Sequence, residues 1–293
     1  MELGYIGLGA MGGALARRLM RTHKLRVLDI DSDVVAAFAE HGAIPAQDGA
    51  SLARESDMVM LCLPRSSDVR EAIFGTRGLA EGLTPGKIVI DQTTGDPDET
   101  RALAAELAAM GITMIDAPVS GGAPAAEAGT IAIMVGGPLD VFDEVKPILE
   151  TISPNIFHCG STGNGHVMKL VNNTLGACCR LATLETVAMG RKYGLSLEKM
   201  TEVLNKSSGR NNYTQTMLPK MVEGKPSSNF AMALSLKDVT LGTKLGVECG
   251  APMLIPNLTR GLLQQGVHEF GARATLDAAI TMVENMAGLT FRE

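Results

Sequence analysis

Residues 2–30 constrain the fold more than any other stretch. Glu-Leu-Gly-Tyr-Ile-Gly7-Leu8-Gly9-Ala10-Met11-Gly12 reads as a short strand, a glycine turn and a helix opening. Leu25 to Ile30 reads as the next strand, with Asp29 near its end. A GxGxxG is a weak signal alone, but here it stands between a strand and a helix, with an acid about twenty positions on. Gly7 allows a tight turn, Gly9 lets the backbone approach a pyrophosphate, and Gly12 lets helix and strand pack closely. The helix N-terminus adds free N–H groups and a positive dipole end. Gly7, Leu8, Gly9, Ala10, Met11 and Gly12 are therefore candidate dinucleotide contacts. At Asp29 a carboxylate would accept ribose hydroxyls and repel an added phosphate, which favours NAD over NADP. Asp31 and Asp33 add to that repulsion, and a helix-capping role is the other reading of Asp29.

Strands and helices then alternate. Asp57–Pro64 and Lys87–Asp91 are continuous apolar runs of the buried parallel type. Pro97–Met110 is an amphipathic helix, Ile112–Asp116 another strand, and Ile131–Val135 and Asn155–His158 close the series around a helix at Leu139–Leu149. This alternation predicts an α/β fold, a doubly wound parallel sheet whose ligands sit at the carboxyl ends of its strands. Leu63, Pro64, Thr94 and the segment Ser120-Gly121-Gly122 all fall at such ends. A serine followed by two glycines can present backbone N–H groups to a carboxylate, or can be an ordinary turn.

After Gly163 the strand pattern stops. Gly160-Ser-Thr-Gly163-Asn-Gly165-His-Val-Met-Lys169 feeds a proline-free helix of roughly thirty residues, about 45 Å long. Its apolar positions, from Val167 through Val171 and Leu175 to Val187, predict burial on more than one side. Lys169, Asn172, Asn173 and Gly176 lie at i, i+3, i+4 and i+7, one polar stripe. A buried lysine there needs a partner, unless it snorkels to the surface. Further helices are predicted over Leu197–Leu204, Tyr213–Met221, Met232–Val247, Pro256–Glu269 and Ala274–Met286. The expected organisation is 1–162 as an NAD-binding Rossmann-type domain and 163–293 as an all-α substrate and oligomerisation domain, joined by the long helix.

A formal charge of −6 argues against nucleic acid and anionic membrane surfaces, and no apolar run is long enough to span a bilayer. The five cysteines form no CxxC pair and the histidines lack ligand spacing, so neither disulfides nor a metal site are expected, and a reducing cytoplasm fits. No GxSxG or other nucleophile constellation supports a hydrolase.

Gly7-Leu-Gly9-Ala-Met11-Gly12, Asp116-Ala-Pro-Val-Ser120-Gly121-Gly122, Gly163-Asn-Gly165-His-Val-Met-Lys169-Leu-Val-Asn172-Asn173 and Leu236-Lys237-Asp238, in this order, resemble the β-hydroxyacid dehydrogenases across essentially the whole chain. The resemblance implies Lys169 as general acid/base, Asn173 as a substrate-orienting group and Ser120, Gly121 and Gly122 as the carboxylate cradle. It implies Thr94 beside the nicotinamide ribose, Lys237 on the cofactor, and a homodimer or homotetramer. The activity implied is interconversion of a short, anionic 3-hydroxy acid and its semialdehyde. Arg210, in the loop Ser207–Tyr213, is a candidate for a second polar group of the substrate, as is Asn211, although the loop could equally cap a helix. His166 is given no role by the resemblance. An imine or larger-carbonyl reductase on this fold lacks the lysine, and a non-catalytic dinucleotide sensor would not need the Lys169/Asn173 pair.

Overall fold

A computed structural model describes residues 1–292. The chain divides into two compact units, the first Met1–Lys169 and the second from Leu170 on.

The first unit is built on a six-stranded, all-parallel sheet: β1 (Leu3–Ile6), β2 (Leu25–Leu28), β3 (Ile44–Pro45), β4 (Met58–Leu61), β5 (Ile88–Asp91) and β6 (Thr113–Asp116), in spatial order β3-β2-β1-β4-β5-β6. β1, β4 and β5 are buried along their whole length, which is why they read as unbroken apolar runs. Helix α1 (Ala10–Leu19) buries Leu15, Ala16 and Leu19 in the same core as Leu3, Tyr5 and Val27. The helices α2 (Ser32–Glu40), α3 (Gly49–Arg54), α4 (Ser66–Phe74) and α5 (Pro97–Ala108) complete the β–α alternation. The chain leaves β1 toward β2 on one side and resumes at β4 on the other. This is the switch point where such sheets open a crevice at their carboxyl edge.

Two expected strands are placed differently. β8 (Ala132–Val135) and β9 (Ile156–His158) are not members of the main sheet; with β7 (Val119–Ser120) they form a second sheet, β7-β8-β9. β7 runs antiparallel to β8, so the chain has reversed its pairing sense immediately after β6. An isolated bridge between Asp116 and Gly136 joins the end of β6 to the end of β8. Between these strands lie α6 (Gly122–Ala128) and α7 (Leu139–Ile152).

Helix α8 (Asn164–Lys192) has 29 residues, starting in the first unit and continuing into the second. Leu170, Leu181, Leu184 and Val187 are buried as expected, but Val171 and Leu175 are exposed, so the burial on several sides does not reach them. The second unit is otherwise α9 (Leu197–Asn205), α10 (Asn212–Glu223), α11 (Met232–Glu248), α12 (Leu254–Phe270) and α13 (Ala278–Ala287). α13 begins four residues later than its apolar pattern, for a local reason. Thr275 bridges to Ala231, and Asp277 accepts hydrogen bonds from the buried Arg180 and from the Ser227 N–H. No helix among the described residues is long and apolar enough to cross a membrane.

Candidate active site

The carboxyl ends of β1, β4, β5 and β6 lie at one edge of the main sheet because the strands are parallel and in register. At the first of them the three glycines separate into three physical roles. Gly7 has φ +93°, and a Cβ there would run into the Cys62 carbonyl beyond β4. At Gly12 a Cβ would collide with the Gly7 carbonyl, so helix and turn touch backbone to backbone. At Gly9 it would meet no protein atom within 4 Å. That open side, and an α1 N-terminus that no side chain caps, are what a pyrophosphate requires. Leu8 is buried, Ala10 exposed and Met11 half-buried.

Asp29 is tied into this turn. Its Oδ2 accepts the Leu8 N–H at 2.5 Å and its Oδ1 the Asp31 N–H at 2.9 Å. Each oxygen keeps a lone pair for a ribose hydroxyl. The cap of α2 is Asp31, whose carboxylate accepts from Asp33 and Val34, so Asp29 is not the helix cap.

Beyond β4, Leu63 is half-buried and Pro64 exposed, and the Leu63 N–H donates to Thr93 Oγ1 at 3.0 Å. Beyond β5, Asp91 Oδ1 accepts the Thr93 N–H at 2.9 Å, which leaves Thr94 half-buried at the strand end. Burial, with the Asp91 carboxylate adding to it, pushes the Cys62 thiol up to about 12, while the charge of Lys169 pulls the other way. Cys62 is thus a neutral thiol at neutral pH, not a nucleophile. Lys169 itself is buried, 8% exposed, and does not snorkel to the surface.

Past β6, Ser120 is half-buried while Gly121 (φ +142°) and Gly122 (φ +77°) are exposed, in conformations that L side chains rarely adopt. They open α6 with their backbone N–H groups uncapped by any side chain. Asp116 has a role that was not read from the sequence. Fully buried, it accepts the Gly163 N–H at 2.6 Å and the His166 N–H at 2.7 Å, so it caps the start of α8. Burial pushes its carboxyl up from the ordinary range, and His166 and these two N–H groups draw it back. Gly163 is needed for its φ of +91°, and Gly165 because a Cβ would sit 2.7 Å from Asp116 Oδ2 and 3.0 Å from the Gly136 nitrogen. Only the ordering of residues around the motif hinted at this, since Asp116 and Gly163 are 47 positions apart.

In the second unit, Asn173 Nδ2 donates to Asp238 Oδ2 at 2.6 Å, and Asn173 Oδ1 accepts from Asn172. Lys237, half-buried, pairs with Asp238 at 3.0 Å. Lys237 and Asn173 therefore meet through one buried carboxylate, that of Asp238. Arg210 is exposed, whereas Asn211 forms a capping box with Thr214 at the start of α10, so its side chain is occupied by the helix. Among the described residues no cluster of His, Cys, Asp and Glu could hold a metal ion.

Two family models match the chain: the NAD binding domain of 6-phosphogluconate dehydrogenase over residues 2–160, and the NAD-binding domain of NADP-dependent 3-hydroxyisobutyrate dehydrogenase over residues 163–283. The chain is 33% identical to 2-(hydroxymethyl)glutarate dehydrogenase of Eubacterium barkeri, over 99% of this chain and 97% of that one. It is 35% identical to the mitochondrial 3-hydroxyisobutyrate dehydrogenase of Mus musculus, over 87% and 79% respectively. A solved 3-hydroxyisobutyrate dehydrogenase of Mycobacterium tuberculosis with L-serine superposes with a TM-score of 0.87 at 28% identity, over 96% and 98%. The matches run through the glycine turn, the Asp116–Gly122 segment and the Lys169 helix alike, and the chain belongs to the β-hydroxyacid dehydrogenase family.

Proposed function

We propose that this chain oxidises a short 3-hydroxy acid to its semialdehyde, or reduces the semialdehyde, with NAD as the preferred cofactor and Lys169 as the general acid/base. The observation that carries the reading is a buried lysine one turn into a helix whose start is fixed to the carboxyl edge of a dinucleotide-binding sheet. When bound, the nicotinamide supplies the hydride acceptor or donor. In the oxidative direction the neutral Lys169 amine takes the proton of the substrate hydroxyl, and in reduction its ammonium form returns one to the carbonyl oxygen. Ser120, Gly121 and Gly122 hold the substrate carboxylate, Asn173 orients the hydroxyl, and Arg210 meets any second polar group. Gly7 to Gly12, Asp29, Leu63, Pro64, Thr94 and Lys237 hold the cofactor. The carboxylate of Asp29 supports NAD over NADP, although one matching family model is described as NADP-dependent.

The division of labour in this reading is that 1–162 is the NAD-binding domain and 163–293 the substrate and oligomerisation domain. Exposed Val171 and Leu175 on α8 and Leu254, Ile255 and Leu258 on α12 support a homodimer or homotetramer. Five free cysteines support a cytoplasmic, reducing setting. Initial rates with NAD⁺ and NADP⁺ across 3-hydroxyisobutyrate, D-glycerate, L-serine, 3-hydroxypropionate and 4-hydroxybutyrate test the reading. Turnover preferring NAD⁺, and reduced about 10²–10⁴-fold in Lys169→Ala, is expected. Undiminished turnover in that variant would remove Lys169 from the chemistry.

A further inference from the structure

His166 is fully buried, yet it is more than a space-filling core residue. Its Nε2 lies 2.9 Å from the Thr93 carbonyl, which can only accept, so that nitrogen carries the hydrogen. Its Nδ1 lies 2.8 Å from Thr100 Oγ1 on α5. Its backbone N–H goes to Asp116 at the end of β6. A Cβ on Gly95 would stand only 3.2 Å from the ring, so the backbone at Gly95 packs close to the imidazole. One residue in the first turn of α8 thus joins the loop after β5, helix α5 and the end of β6.

What it grips is functional on both sides. Thr93 precedes Thr94, and its hydroxyl receives the Leu63 N–H, so the loop pinned by His166 carries Thr94 and is tied to Leu63 beyond β4. Lys169 follows His166 by one helical turn. A helix is stiff over three residues, so fixing His166 fixes the origin of the lysine side chain relative to that loop. We infer that His166 is a positioning residue, which sets Lys169 and Thr94 in register with each other through its bonds to Thr93 and Thr100. The inference rests on the proposed acid/base role of Lys169.

Three variants test it: His166→Leu, which keeps bulk but no polar atom; His166→Gln, whose amide can donate to Thr93 and accept from Thr100; and Thr100→Val. For each, kcat, KM, the NADH Kd by fluorescence and the Tm are measured. His166→Leu is expected to lower kcat about a hundredfold, the scale of a displacement near 1 Å, and to weaken NADH binding severalfold. His166→Gln should recover most of both, and Thr100→Val should lose about tenfold in kcat, the loss of one of two restraints. A folded His166→Leu protein with wild-type kcat and NADH affinity would overturn the inference, whatever its Tm. So would a His166→Gln protein no better than His166→Leu. If His166→Leu does not fold, unchanged kcat in Thr100→Val overturns it instead. Were the wild type to turn over no hydroxy acid, the functional reading would fail, and NADH affinity across the same series would still decide whether the clamp exists.

Discussion

The chain contains two glycine-rich turns that feed helices at the carboxyl edge of the same sheet, and they solve the same problem in opposite ways. Every helix start leaves backbone N–H groups without partners. At α1 no side chain supplies one, and the space beside Gly9 is open, so the donors are left for an anionic ligand. At α8 the buried carboxylate of Asp116 fills the socket, and Gly165 is pressed against it with no room for a methyl group. We propose the first turn as a receptor; the second is an anchor. Glycine content does not separate them; what stands opposite the amides does.

The largest effect should come from removing the anchor. Asp116→Ala strands the Gly163 and His166 donors, at a cost of about 1–3 kcal/mol each, measurable by urea unfolding. Stability within about 0.5 kcal/mol of wild type would mean that α8 starts without it. At the receptor the sign of the trade reverses. Gly9→Ala meets no protein atom, so Tm should hold, while the NADH Kd rises about tenfold because the methyl group enters the phosphate side. A lowered Tm with unchanged Kd would merge the two turns into one class. A smaller change is expected at Asp29: Asp29→Ser should cut the preference for NAD⁺ over NADP⁺ severalfold in kcat/KM, and an unaltered ratio would assign that carboxylate only to holding the Leu8 and Asp31 N–H groups. The smallest is at Cys62, whose backbone abuts Gly7. With its thiol pushed up to about 12 by burial, it stays protonated at neutral pH. At pH 8 a thiol reagent should label the exposed Cys249 well before Cys62, by mass spectrometry of the labelled peptides.

The open turn was legible in the sequence because its determinants are local: Gly7, Gly9, Gly12 and Asp29 lie within one β–α–β unit. The anchor was visible only as a motif. Its acceptor and His166's partners Thr93 and Thr100 stand 47 to 73 residues from the groups they bind, and periodicity carries no such information. The same limit explains β8 and β9. Their apolar runs identify them as strands, but which sheet they join depends on the reversal at β7 and the Asp116–Gly136 bridge. Asn211 was readable either as a substrate contact or as a cap, and only the partner distances in its capping box decide for the cap.

The reversal at β7 also sets where the protein tolerates editing. Val119 pairs with Ile133 and Ser120 with Ala132, and Val119 faces the core. Strand side chains alternate faces, so one residue inserted between Asp116 and Val119 would turn the valine outward and carry the serine into the core. Changes beyond Gly122, along the exposed start of α6, leave that reading frame intact. Insertions therefore belong after the two glycines, and the three residues before Ser120 are better left untouched.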